Sequence, residues 1–260
     1  MIKRIVIFSL VATLMLIFSP ALAQKPDTDS DLPEIDGTYD VPGHPDLKLR
    51  VFVYKEKPTI SPALALTCNI SDPNSTAIDA TAGWTLPSSW TYSLNTSSVP
   101  ASVGTSNWPS IANKAFASWS SQISGKVSIV RGSDTTVSRA VRDGKNIVTF
   151  GKASGSALAV TYTWYNTSTK KAVEIDTIMN NRFSWAWSDP SSWGNQPTCA
   201  FLGVYDAQDI LTHELGHTFG LNDHYTSVYS NNTMYGYGSK TETKKDTLTS
   251  GDISGIKILY

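Results

Sequence analysis

The residues best equipped for chemistry lie in one stretch, ILTHELGHTFGLNDHYTSVYSNNTMYGYG, residues 210–238. His213 and His217 stand four apart, with Glu214 next to the first. On a helix that spacing puts both imidazoles on one face, close enough to share a tetrahedral metal ion. Glu214 is then placed to reach a water on that ion and to take its proton as the water attacks a carbonyl. The pattern therefore points to zinc-assisted hydrolysis. The chain has four histidines, and three of them, His213, His217 and His224, sit in this stretch. Chance placement on an ordinary helix is a poor explanation of that clustering.

A catalytic zinc needs a third protein ligand. One arrangement takes a glutamate from a second, later helix, but the only glutamate after His217 is Glu242, in the polar run KTETKKD. The other arrangement uses a glycine to turn the chain sharply after the helix and takes the ligand three residues beyond it. Gly220 occupies the hinge, and the ligand register falls on Asp223, whose carboxylate oxygen is an acceptable zinc ligand. His224 is the alternative third ligand. It is the more usual residue type but sits one position late, and its other reading is a surface or supporting histidine.

The active-site helix should open at Asp206 as N-cap, carry Asp209 in its first turn and close at Gly220. An earlier helix is expected over residues 106–124, with Pro109 in its first turn and Ile111, Ala115, Phe116, Trp119 and Ile123 on one stripe. Strand-like runs occupy 47–54, part of 84–94, 127–130, 146–150, 157–165 and 172–178. The 47–54 run alternates at period two, as a strand with one buried face does. A short C-terminal helix begins near Ser250, with Ile253, Ile256 and Tyr260 on one side. Few helices around a strand-rich middle make the class α+β.

The 260-residue chain has room for one substantial domain with an N-terminal extension. Residues 1–23 read as a secretory signal: Lys3 and Arg4 precede an apolar run, and Ala21-Leu22-Ala23 supplies the cleavage pattern. Residues 24–80 read as a leader or propeptide, polar at its start, with a candidate boundary over 71–81. Residues 81–260 form the remaining domain. A net charge of −1 offers no basic footprint for nucleic acid or an anionic membrane. Once the signal is removed the protein is expected to be exported, secreted and free of the membrane.

The motif H-E-x-x-H-x-x-G followed by a downstream Met resembles that of the metzincin metalloproteases. Asp223 replaces their common third histidine, as in snapalysin-type members. NNTMYGYG is similar to the Met-turn of that group, and TLTSGDISGIKILY to the final helix of matrixin catalytic domains. The resemblance spans about residues 84–260. It implies a mixed twisted sheet with an active-site helix, a helix packed behind the sheet and a short C-terminal helix. It also implies a monomeric zinc endopeptidase acting on polypeptides, with Glu214 as general base, Met234 beneath the metal, and Tyr235 and Tyr237 lining the substrate pocket. Peptide substrates of such enzymes pair with an exposed edge strand. Residues 157–163, ALAVTYT, are either that edge or an ordinary core strand.

Cys68 and Cys199 are the only cysteines. In an exported protein they most simply form one disulfide. The matrixin resemblance offers an alternative, a Cys68 thiolate closing the zinc's open position, although TCNISD lacks the Arg, Gly and Pro of that switch. Calcium could be held by aspartates such as Asp176 or Asp189. Two other function classes stay open: a zinc-containing adhesion module without activity, and a zinc hydrolase acting on something other than peptides.

Overall fold

The computed structural model describes residues 32–57, 66–68, 72–153, 155–189 and 199–260. The expected signal lies outside these residues, as does all of the polar leader before Leu32. Twelve strands are formed among the described residues: β1 Gly37–Asp40, β2 Leu47–Glu56, β3 Leu66–Thr67, β4 Ser89–Leu94, β5 Ser128–Arg131, β6 Asn146–Gly151, β7 Ala157–Asn166, β8 Lys171–Asn180, β9 Trp185–Ala186, β10 Ala200–Phe201, β11 Tyr205–Asp206 and β12 Tyr237–Gly238. The α-helices are α1 Trp108–Ser120, α2 Ala207–Thr218 and α3 Ser250–Leu259.

One mixed sheet dominates, in the order β1-β2-β7-β8-β6-β4-β5, and β12 pairs with the far end of β2. β4, β5, β6 and β8 run parallel, and β7 is antiparallel to β8. β2 is antiparallel to β7 over nearly its whole length, from Leu47 opposite Asn166 to Lys55 opposite Ala157. Residues ahead of the 71–81 region thus contribute two strands to the same sheet as the later residues. β7 lies between β2 and β8, so ALAVTYT is an interior strand in this structure and not an edge. Its first eight residues are all buried, as a strand covered on both faces requires.

The sheet separates two apolar layers. The larger contains α1, α2 and the aromatic side chains between them, including Phe52, Trp84, Trp108, Trp119, Phe150 and Phe219. The smaller covers the opposite face and takes Leu47, Leu49, Val51 and Val53 from β2. Alternation along β2 sends Phe52 and Tyr54 to the helical side. Residues 51–54 are therefore buried on both faces, where the periodicity alone implies one.

α1 is shorter than expected, ending at Ser120, with a 3₁₀ turn carrying the chain through Ile123. Its stripe of Ile111, Ala115, Phe116 and Trp119 is buried, and the Trp119 indole Nε1 donates to the Thr212 carbonyl of α2 at 2.7 Å. α3 opens on a capping box in which Thr249 and Asp252 satisfy each other's backbone N–H groups. Residues 72–80 run along the start of α3. Gly251 N donates to Ser75 O, and Asp79 N to Gly251 O. Cys68 and Cys199 form a disulfide beside the β3–β10 pair, so no Cys68 thiolate is free to act as a metal ligand.

Candidate metal centre

All twelve residues of α2 are buried, which explains why a helix carrying His, Glu and Asp must be so closely specified. Asp206 caps it, accepting from Gln208 N and Asp209 N at 2.9 and 3.1 Å and from Ser188 N and Oγ at 2.8 Å each. Asp209, the first-turn acid, accepts from Lys245 N at 2.7 Å. At the other end Gly220 has φ +96°, and a Cβ there would meet the Trp84 carbonyl at 2.3 Å. Only glycine allows that turn, and it delivers Asp223 back under the helix.

The outcome is a convergence of His213 Nε2, His217 Nε2 and Asp223. Asp223 Oδ1 lies 3.2 Å from the first nitrogen and 3.5 Å from the second. The three residues form the group of metal-binding type found among the described residues, with ligand atoms within 4.8 Å of one another. Each imidazole uses its other nitrogen on a backbone carbonyl: His213 Nδ1 on Thr233 O at 2.7 Å, His217 Nδ1 on Leu221 O at 2.9 Å. Those bonds hold the proton on Nδ1 and leave Nε2 with a lone pair. His213 Nε2, His217 Nε2, Asp223 Oδ1 and Glu214 Oε1 are all buried without a hydrogen-bond partner. Buried polar atoms are rarely left so. Two nitrogens and one carboxylate oxygen around a shared centre, with one side left to a water or substrate, suit zinc.

Burial and charge set the protonation states. Burial drives the His213 imidazolium down to about 4. Burial raises Glu214 to about 7, against the opposing pull of His217 and of the Thr161 hydroxyl. Asp223 is also penalised by burial, yet the two histidines outweigh that and hold it below the ordinary carboxylate range. Thr161 Oγ1, on β7, donates to Glu214 Oε2 at 2.5 Å and lies 3.1 Å from Thr177 Oγ1. One carboxylate oxygen is thereby fixed and the other, Oε1, is left for chemistry.

His224 is placed elsewhere. Its Nε2 accepts from Ala80 N at 2.9 Å, its ring stacks on Tyr229 at 3.8 Å, and Asp79 lies 3.4 Å away. Met234 is fully buried beneath α2. A Cβ on Gly216 would lie 2.1 Å from its sulfur, so the helix and the Met234 turn approach as closely as a glycine permits. Thr233, which accepts from His213, is the residue before it. Tyr235 and Tyr237 stack edge-on at 5.6 Å, and Tyr237 meets Tyr225 at 5.4 Å. Asp176 spends its oxygens on Val141 N and Ile147 N, and Asp189 pairs with Lys114.

Four residues at the site escape a reading of the motif. Phe52 stacks on His217 with ring centroids 3.8 Å apart and planes 4° apart, and Tyr54 stacks on His213 at 3.8 Å and 21°. Thr161 orients Glu214, and Tyr225 Oη donates to Asp223 Oδ2 at 3.2 Å. The only hint in the sequence is the period-two pairing of Phe52 with Tyr54, which places them on one face without saying what that face meets.

A protein-family model described as Matrixin matches residues 83–260, well over half of the chain and all of the convergence just described. No curated protein matches the chain.

Proposed function

The chain belongs to the matrixin family, zinc-dependent metallopeptidases acting on polypeptides, and from that premise we propose that it is an exported zinc endopeptidase whose metal is held by His213, His217 and Asp223. The observation that carries the ligand set is the convergence of three buried, otherwise unpartnered donor atoms beside an equally unpartnered Glu214 Oε1. When bound there, zinc supplies Lewis acidity toward the scissile carbonyl and toward a water molecule.

The protein's own groups do the rest. Glu214 Oε1 accepts the proton of the attacking water and returns it to the leaving amine, while Oε2 stays on Thr161. An acidity near neutral suits both transfers. The carbonyls of Thr233 and Leu221 keep the two imidazoles in the ligand tautomer. Met234 fills the space under α2 and takes no part in proton transfer. An adhesion module would need the three ligands but not Glu214, so the unpartnered Oε1 favours catalysis. No helix among the described residues is long and apolar enough to cross a membrane, and the disulfide suits an oxidising compartment. The disulfide supports export.

The test is metal content by mass spectrometry alongside cleavage of casein, for the wild type, Glu214→Gln, Asp223→Ala and His224→Ala. We expect one zinc per chain in the wild type, Glu214→Gln and His224→Ala, less in Asp223→Ala, and cleavage lost in Glu214→Gln. Zinc retained by Asp223→Ala but lost from His224→Ala would reverse the ligand assignment. Undiminished cleavage by Glu214→Gln would remove the general base.

A further inference from the structure

His224 is the one histidine of the motif stretch that the metal centre leaves unused, yet it is held from two directions. Its backbone belongs to the Met234 turn: His224 N donates to Met234 O at 3.0 Å, and Gly236 N donates to His224 O at 2.8 Å. Its side chain belongs to a different piece of the chain. Nε2 accepts from Ala80 N at 2.9 Å, and the ring lies flat on Tyr229, with planes 6° and centroids 3.8 Å apart. The bond from Ala80 uses the Nε2 lone pair and leaves the ring proton on Nδ1.

The same Ala80 peptide holds the other neighbour of Asp223. Asn222 N donates to Ala80 O at 2.9 Å, Asn222 Nδ2 to Thr81 O at 2.7 Å, and Ala82 N to Gly220 O at 2.7 Å. Residues 80–82 thus pair with residues 220–222, with Thr81 opposite Leu221 in an antiparallel bridge. From His224 onward the chain is held by the Met234 turn instead. Asp223 spans the gap between these two supports, and its backbone takes part in none of the bonds just given. Away from the imidazoles its carboxylate has one hydrogen-bond partner among the described residues, Tyr225 Oη at 3.2 Å, which is long for a hydroxyl donor. An aspartate side chain is also shorter than a histidine's. As third ligand it needs its backbone held closer to the shared centre than a histidine would.

Resting on the zinc reading above, we infer that His224 is a positioning residue for the third ligand. Its ring is a cross-brace between the Met234 turn and Ala80, and it fixes the span from which Asp223 reaches the metal. The Ala80 end of the brace is itself anchored. Asn232 Nδ2 donates to Ala77 O at 2.7 Å and to Asp79 Oδ1 at 2.8 Å, and Asn232 precedes Thr233, whose carbonyl orients His213. Without the ring the two supports move independently, and the freed backbone must be ordered again whenever the carboxylate binds. The loss therefore falls on metal affinity and ligand geometry. Ala80 lies ahead of the family match, which begins at residue 83, so the brace draws on a residue from outside the matched domain.

The test uses the full chain. Apparent zinc affinity is measured by chelator competition, and ligand geometry by visible absorption of the cobalt(II)-loaded chain. The variants are His224→Leu, which removes the acceptor, His224→Gln, which keeps an acceptor near the position of Nε2, and Ala80→Pro, which removes the donor and leaves the histidine in place. At saturating zinc each should still take one ion. His224→Leu and Ala80→Pro should nevertheless bind it about 10- to 100-fold more weakly than the wild type, with altered cobalt bands, and His224→Gln should recover most of both. In an Asp223→Ala background, His224→Leu should change affinity little, because its effect runs through Asp223.

Urea midpoints of the metal-free chains separate positioning from folding. A lowered midpoint with wild-type affinity and cobalt bands would make His224 a packing residue and overturn the inference. So would an undiminished loss on adding His224→Leu to Asp223→Ala. Should His224→Leu fail to fold, Ala80→Pro reads the same bond with the ring still present. A wild type that binds neither zinc nor cobalt would remove the zinc reading and this inference with it. Metal binding that follows His224 as expected, without peptide cleavage, would uphold the inference and count against the peptidase activity alone.

Discussion

Replacing Thr161 with valine isolates what the β7 hydroxyl does for Glu214. Valine keeps the β-branched shape that suits a strand and removes the donor to Glu214 Oε2, a buried bond of 2.5 Å, together with the hydroxyl's contact to Thr177 Oγ1. A hydrogen bond to a charged group is worth roughly 1.5–3 kcal/mol. One pKa unit corresponds to about 1.4 kcal/mol, so losing the bond should raise the Glu214 pKa by about 1–2 units. The sign follows from the bond favouring the ionised carboxylate, which is the form that accepts a proton from water. The acid limb of kcat/KM for a fluorogenic peptide should therefore move to higher pH by about 1–2 units in Thr161→Val. On that limb the rate at a fixed pH should fall about 10- to 100-fold. Thr177→Val is the companion, because Thr177 lies 3.1 Å from the Thr161 hydroxyl and reaches Glu214 only through it; it should move the limb less. A Thr161→Val enzyme whose limb stays in place while its plateau drops would show that Thr161 shapes the site without setting the charge on Glu214.

Two further perturbations test the scaffold. Gly216→Ala would put a methyl 2.1 Å from the Met234 sulfur and 2.9 Å from the Trp119 ring. Overpacking of this kind costs about 1–3 kcal/mol, to be read as a lowered urea midpoint, with zinc affinity falling too because the Met234 turn carries the carbonyl that holds His213; an unchanged midpoint would mean the turn yields freely. Asp79→Asn tests a buried acid: burial first, then Asp252, raises Asp79 to about 10, against about 3.9 when unfolded. Between those values the folded state keeps a proton that the unfolded chain has released, so this group makes stability fall as pH rises from about 4 to 10. Urea midpoints at pH 5 and 8 should show Asp79→Asn gaining on the wild type at the higher pH, and a disadvantage that grows with pH would reverse the assignment.

The legible parts of this protein are those whose physics is local. His213 and His217 declare a shared face because four residues make about one helical turn, and Asp206 and Gly220 mark helix ends through chemistry confined to a few neighbours. Asp223 could be ranked above His224 because a glycine turn carries register forward by three residues, and the structure brings Asp223, not His224, to the imidazoles. Strand existence was legible on the same terms, since β2, β6, β7 and β8 each show β-branched and aromatic runs. Strand partnership was not. Alternation in LKLRVFVY states that two faces differ but cannot name the neighbour, and here the neighbour is more than a hundred residues later in the chain. The period-two reading of one buried face failed at residues 51–54 for that reason, because α2 covers one side and a second apolar layer the other.

The same non-local pairing ties the fold to its chemistry. A strand that only completed the sheet could carry any apolar side chain on its helical face, whereas β2 puts two aromatic rings in parallel contact with the two imidazoles. Stacking of that kind depends on the orientation of His213 and His217, which the carbonyls of Thr233 and Leu221 fix independently of β2. The imidazoles are thus oriented by the matched domain itself and covered by a segment outside it. Burial of the centre and orientation of its ligands therefore have separate structural supports, β2 for the first and the two carbonyls for the second.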